Sequence, residues 1–328
     1  MLKLIEDFPD HIIQGKNIAN ASNLTKPKDE IHNVVLCGMG GSGIGAKIVS
    51  DVLLQEARCS ITTVNDYFLP GFVSKNTLVV ASSYSGNTEE TLQCLKEAAK
   101  KGAKIVCICS GGKMHQFCEE NDYNVIIVPG GRPPRSALAY SMVQIMHVLF
   151  FNKIIASDKS QELQESINLL RSEISQIKME AQKLSKFLYK KVGVFYSETK
   201  FDGVLVRARQ QVNENSKFLA WHHVIPEMNH NELVGWGGGD TRFAPVFFET
   251  EDVYKRNLTR LKISKSAIKK MAKQIHVVKS KGNSLLSKTM YFIHLIDWTS
   301  YYLCELNKAD ILDISIIDHL KSELSKLK

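Results

Sequence analysis

The hydroxyls of Ser83, Ser85 and Thr88 surround Gly86 in the segment Ser82-Ser83-Tyr84-Ser85-Gly86-Asn87-Thr88-Glu89-Glu90-Thr91. An apolar run, Thr77-Leu78-Val79-Val80-Ala81, precedes them, and Leu92, Leu95, Ala98 and Ala99 follow at helical spacing. A strand that ends in hydroxyls and glycine and then opens a helix makes an anion cradle. It offers O–H donors, free N–H groups of the first turn, and the positive end of the helix dipole. A phosphate monoester brings the matching charge and acceptor oxygens. Capping alone would need one hydroxyl, and several stand here on both sides of a glycine.

A second glycine motif, Cys37-Gly38-Met39-Gly40-Gly41-Ser42-Gly43, follows an earlier apolar run. Gly38, Gly40 and Gly43 satisfy the dinucleotide fingerprint, and Asp66 stands where a ribose-binding acid would. An NAD-dependent dehydrogenase is therefore a rival reading. Ser42 inside the turn and the second anion loop at Ser83–Thr88 have no place in a plain dinucleotide site. Two loops converging on a small ligand account for both, with the Gly40–Gly41 backbone close to the ligand and Ser42 donating to it.

The elements that must position these loops follow from the patterning. A helix is expected over 10–21. Apolar runs at 33–37, 59–64, 77–82, 104–109 and 124–128 alternate with helical stretches at 42–55, 88–101 and 113–120. A helix over 135–151 closes this half. Such alternation predicts a parallel sheet covered on both faces, with ligands at the carboxyl ends of its strands. A charged amphipathic segment over 159–189 is expected as one long linking helix. The second half predicts strands at 191–196, 243–248 and 274–278 and helices at 201–218, 252–270, 284–306 and 313–326. Lys101–Val106 reappears in character at Met271–Val278, so the halves, 1–153 and 154–328, look like a diverged duplication of a flavodoxin-like or Rossmann-like unit. The anion loop does not recur: Phe247-Phe248-Glu249-Thr250-Glu251 stands in its place.

Composition narrows the function classes. The 328 residues are 44% hydrophobic and 23% charged, ordinary for a soluble globular protein. The net charge of +8 comes from scattered lysines without a basic-aromatic stripe, so anionic metabolites rather than nucleic acid are expected. The most apolar stretch, Ala137 to Phe151, is too short to span a bilayer and carries Ser141, Gln144 and His147, so no membrane partner is expected. Seven cysteines without metal-like spacing fit a reducing compartment. With no secretory signal in Met1–Asp7, the expected location is cytoplasmic.

Five segments occur in register: Cys37–Gly45, Ser82–Thr91, Pro134–Ala137, Asn213–Lys217 and Pro226–Glu232. Together they resemble the bifunctional phosphoglucose/phosphomannose isomerases, a family with two tandem sugar isomerase (SIS) domains. The resemblance implies an α/β fold of two parallel sheets, no metal or other cofactor, and hexose 6-phosphate substrates. It implies metal-independent interconversion of glucose 6-phosphate and mannose 6-phosphate with fructose 6-phosphate. Ser83, Ser85 and Thr88 would hold the phosphate, while Gly40, Gly41 and Ser42 would contact the sugar side. Glu214 would be the base, Arg135 would stabilise developing negative charge, and His230 and Lys321 would assist ring opening. Family members are homodimers in which the His230 loop reaches the partner's site. Arg132, His222, His223, His276 and His319 are read as structural. One departure is Ile311 after Asp310, where the family has proline. A non-catalytic sugar-phosphate sensor is the alternative from another class.

Overall fold

The computed structural model describes residues 1–26 and 29–327 of the chain. Two parallel sheets organise it. The first holds β1 (Asn33–Cys37), β2 (Ser60–Val64), β3 (Thr77–Ser82), β4 (Lys104–Cys109) and β5 (Asn124–Ile127) in the order β2-β1-β3-β4-β5. Its central strands are mainly apolar; every residue of β3 is buried, as expected of a strand covered on both faces. The covering helices are α1 (Leu2–Glu6), α2 (Phe8–Ala21), α3 (Gly40–Leu53), α4 (Glu89–Lys100), α5 (Gly112–Asn121) and α6 (Leu138–Phe151). Pro9 in the first turn of α2 carries the fixed φ and missing N–H that a helix start tolerates.

The second sheet holds β6 (Val192–Glu198), β7 (Ala220–Ile225), β8 (Phe243–Glu249) and β9 (His276–Lys279) in the order β7-β6-β8-β9. Strand for strand this repeats the first four positions of the first sheet. The duplication read from Lys101–Val106 and Met271–Val278 therefore places β9 in the position of β4, and β8 in that of β3. Strand β7 went unpredicted. It is an edge strand with paired His222 and His223 at its centre, and its first five residues are only half-buried, so neither an apolar run nor a clean alternation marks it.

Around the second sheet lie α7 (Ser160–Ser172), α8 (Ile174–Leu188), α9 (Asp202–Ser216), the single turn α10 (Glu232–Gly235), α11 (Lys255–Ala272), α12 (Leu285–Asn307) and α13 (Ser315–Leu324). The expected single helix over 159–189 is thus two, α7 and α8, joined at Glu173. Leu163, Ile167, Leu170, Ile177, Ala181, Leu184 and Leu188 keep an unbroken apolar spacing across the junction and are all buried. The bend lets α7 lie against both α2 and α12 while α8 follows α12.

The halves share one core. A single apolar cluster runs from Ile12 in α2 and Leu36 in β1 through Met142 in α6 to Phe195, Phe248 and Phe292 of the second half. Helix α3 packs directly on α9, which joins the two halves. Most of α12 is buried all round, and each large apolar side chain there contributes about 1.5–3 kcal/mol. Helix α13 differs, since no residue of it is buried and Ile316 is 85% exposed. Among the described residues no helix is long and apolar enough to cross a membrane.

Candidate functional site

The carboxyl edge of the first sheet carries the two loops. Ser42, early in α3, is buried, and its Oγ accepts from the Tyr84 N–H at 3.1 Å, tying the glycine turn to the hydroxyl loop. Ser83 and Thr88 bring their hydroxyls within 2.8 Å of each other, and the Thr88 N–H points to the Ser83 oxygen at 3.4 Å. Ser85 Oγ accepts from the Asn87 N–H at 3.2 Å. Thr88 occupies the N-cap of α4 without making a capping hydrogen bond. The Ser83 and Thr88 hydroxyls therefore meet at the mouth of the helix, while Ser85 is engaged by the N–H of its own loop.

The glycines divide by role. Gly40 has φ +51° and open space where a Cβ would project. Gly41 faces protein: a Cβ would lie 2.7 Å from the Pro134 carbonyl oxygen, so this glycine lets α3 approach the turn that carries Arg135. Gly86, at φ +68°, would drive a Cβ into the carbonyl of Gly111 and is required for the close nesting of the loops after β3 and β4.

Arg135 lies in a 3-10 turn, Pro134–Ser136, just ahead of α6, where the sequence suggested the start of that helix. It is 5% exposed and donates in three directions: Nε to Asn215 Oδ1 at 2.7 Å, Nη1 to Glu214 Oε1 at 2.8 Å, and Nη2 to the Ile311 carbonyl at 2.6 Å. The planar guanidinium is held from three sides, as only a multidentate donor can be. The departure at Ile311 leaves this bond intact, because the acceptor is a backbone carbonyl that proline also possesses.

Glu214 and Asn215 come from the last turn of α9. Behind them runs a buried polar network that sequence reasoning missed. Asn215 Nδ2 donates to Ser300 Oγ at 2.9 Å. Arg207 Nη2 donates to both oxygens of Asp297, at 2.9 and 2.8 Å, and to the Arg135 carbonyl at 3.1 Å. Gln211 Nε2 also reaches Asp297, at 2.8 Å. Burial pushes the Asp297 carboxyl upward, against the pull of Arg207 and Gln211. The available signal was Asp297 itself, a lone acid in the run Phe292–Trp298, which is apolar but for His294.

Gly40, Gly41, Arg135, Arg207, Glu214 and Ile317 line one cleft of about 300 Å³, a small-ligand size. Lys321 stands one turn beyond Ile317 on exposed α13, on the same helix face. His230 is not brought to this cleft. It is exposed in a 3-10 turn past the end of β7. Glu214 ends α9, and β7 then runs six residues, about 20 Å, back across the sheet before the His230 turn begins. Within one chain the two lie toward opposite edges of the second sheet.

Arg132 is half-buried, with Nη1 3.0 Å from Tyr140 Oη and 2.5 Å from His11 Nε2. His276 meets Glu180 at 2.8 Å and His222 meets Asp202 at 3.6 Å. Asp66 turns its carboxylate to the neighbouring Tyr67 N–H at 2.6 Å. Among the described residues no cluster of His, Cys, Asp and Glu has the makings of a metal site.

Residues 30–150 match the SIS domain model, and residues 177–324 match that of the bacterial phospho-glucose isomerase C-terminal SIS domain. A bifunctional phosphoglucose/phosphomannose isomerase of Caldicellulosiruptor bescii is 33% identical over 339 residues, covering 100% of both chains. One of Aquifex aeolicus is also 33% identical, covering 93% of this chain and 94% of its own. The C-terminal domain of glucosamine-fructose-6-phosphate aminotransferase from Francisella tularensis shares the fold, with a TM-score of 0.75 at 14% identity over 95% of this chain and 96% of that one. With this likeness running from end to end, the chain belongs to the bifunctional phosphoglucose/phosphomannose isomerase family.

Proposed function

We propose that the chain interconverts glucose 6-phosphate and mannose 6-phosphate with fructose 6-phosphate through a cis-enediolate, with no metal in the reaction. It is built of two tandem units, 1–153 and 154–328, in a cytoplasmic homodimer. The observation that carries the reading is the Glu214–Arg135 pair, a carboxylate and a buried guanidinium 2.8 Å apart in a cleft beside Gly40. Moving hydrogen between C2 and C1 needs one base on one side of a planar intermediate, and Glu214 serves as that base. Negative charge then grows on the C1 and C2 oxygens. Arg135, permanently charged and fixed by three hydrogen bonds, stabilises it without titrating.

Ser83, Ser85 and Thr88 hold the phosphate at the N-terminus of α4. Ser42 links that loop to the glycine turn, so phosphate and sugar are positioned by one rigid unit. His230 assists ring opening in the partner's site, consistent with its distance from Glu214 within one chain. Lys321 shares that task from α13. Rotation about C2–C3 lets one base serve both C2 epimers.

The test is a coupled assay for fructose 6-phosphate formed separately from glucose 6-phosphate and from mannose 6-phosphate. Turnover of both supports the proposal. Turnover of glucose 6-phosphate alone narrows it to one activity, and turnover of neither overturns it. A crystal soaked with an enediolate-mimicking hydroxamate should place phosphate at Ser83–Thr88 and the planar group beside Glu214.

A further inference from the structure

The second half contains a cavity that the isomerase reading leaves unused. The segment Gly235-Trp236-Gly237-Gly238-Gly239 links β7 to β8 by way of α10. With Trp221 of β7 and Phe243 of β8 it encloses about 250 Å³. Three aromatic rings stand around it. Phe243 meets Trp221 at 5.2 Å and 65°, and Trp236 at 5.9 Å and 81°. Gly235 and Gly238, both on the lining, have open space where a side chain would begin, so nothing obstructs the mouth.

The one charged group on the wall is Glu232. Its Oε1 accepts from two neutral donors, the Tyr196 hydroxyl and Trp221 Nε1, the latter at 3.4 Å. Tyr196 Oη in turn accepts from Trp236 Nε1 at 2.8 Å, which orients that ring. Among the described residues no ion pair reaches Glu232; the neighbouring Arg242 is taken by Asp240. A half-buried carboxylate without a cation, set among aromatic rings, is an arrangement that favours positive charge. Aromatic quadrupoles and the carboxylate attract a cation from several sides, while the apolar walls suit alkyl groups.

We propose that this cavity is a binding site for a small alkylammonium ion, seated on Trp221, Trp236 and Phe243 with its charge turned to Glu232. Its volume lies just below the range for drug-sized ligands, which restricts the occupant to a few heavy atoms. The cavity shares no lining residue with the Glu214 cleft, and its wall residue Glu232 stands two residues from His230.

The experiment follows tryptophan fluorescence of the full chain during titration with choline, and in parallel with 3,3-dimethylbutan-1-ol, which has the same shape without the charge. Two of the three tryptophans line the cavity, and the third, Trp298, is 1% exposed elsewhere and supplies a constant background. Saturable binding of choline, about tenfold or more tighter than the alcohol, is expected. Glu232→Gln keeps an acceptor for Tyr196 and should erase most of that preference, and Trp221→Leu should weaken choline binding several-fold. Equal binding of choline and the alcohol would overturn the proposal, as would no saturable signal. Binding of glucose as tight as that of choline would assign the cavity to neutral sugars instead. Choline affinity unchanged in both variants would place the ion elsewhere.

Discussion

The carboxyl edges of the two sheets have the same strand order and opposite chemistry. At the first edge, β3 ends in Ser82 and the hydroxyls of Ser83 and Thr88 lie together at the start of α4, where the N-cap makes no side-chain hydrogen bond. At the second edge, β8 leads into Asp252, whose carboxylate meets Lys288 at 2.8 Å and Lys200 at 3.5 Å. Lys200 also reaches Glu198, at the end of β6, at 3.4 Å, and Lys265 pairs with Glu249 at 2.5 Å. Burial alone would raise the Asp252 carboxyl, but hydrogen bonds led by Lys288 hold it well below the usual carboxylate range. The hydroxyls of the first edge meet one another, while the carboxylates of the second are met by lysines, so one strand order carries two different polar arrangements.

The sharpest way to test that contrast removes the carboxylate proposed as the base. Glu214→Gln should lower turnover by about two to four decades while circular dichroism and melting temperature stay near those of the unaltered chain. Near-normal turnover would remove Glu214 from the reaction. Asp297→Ala, which leaves Arg207 in the core without its counter-charge, should cost about 3–5 kcal/mol in urea unfolding, because an uncompensated buried charge remains. Ser83→Ala deletes a hydroxyl of the first edge and should raise KM or the inhibition constant for inorganic phosphate by about 10- to 100-fold, the worth of a hydrogen bond to a charged group. The matching change at the second edge, Lys288→Met, should leave both constants within about twofold. It should lower stability by no more than about 1 kcal/mol, since Asp252 is 53% exposed. Equal effects of the two substitutions on phosphate inhibition would erase the distinction between the edges.

The smallest effect near neutrality concerns pH. Burial lowers His294 to about 4, and burial together with Arg132 lowers His11 to about 4. Both values lie below the ordinary 6.5, so the unfolded chain takes up protons first as pH falls. Their contribution to stability is complete above about pH 7, declines between about pH 6.5 and 4, and is level below. Urea midpoints at pH 7 and pH 5 should differ in that direction, and by less in His11→Gln.

Much of the first half was legible because its signals are local. An apolar run, a polar turn and a helical repeat mark β3, the 83–88 loop and α4 without reference to the rest of the chain. The second half was less legible where tertiary placement decides. Strand β7 carries two histidines and gains its structure by pairing with β6 at the sheet edge. The break at Glu173 has no glycine or proline to announce it and follows from which helices α7 and α8 must cover. The residues of the cleft were named from motif likeness, but the support of Arg135 by Asn215 and the Ile311 carbonyl joins segments far apart in sequence, and no local pattern encodes such a meeting. Gly41 shows a subtler gap: its type was noticed and its neighbour, the Pro134 carbonyl, could come only from coordinates.

The reach of Arg135 has a consequence in time. Its acceptor at Ile311 lies 176 residues further along the chain. At a synthesis rate of about 5–20 residues per second, the guanidinium leaves the ribosome roughly 10–35 s before that carbonyl exists. During this interval the newborn first sheet must keep a permanent cation in water at the surface that will later become interior. Until Glu214, Asn215 and Ile311 have been made, that charge lacks all three of the acceptors that later hold it.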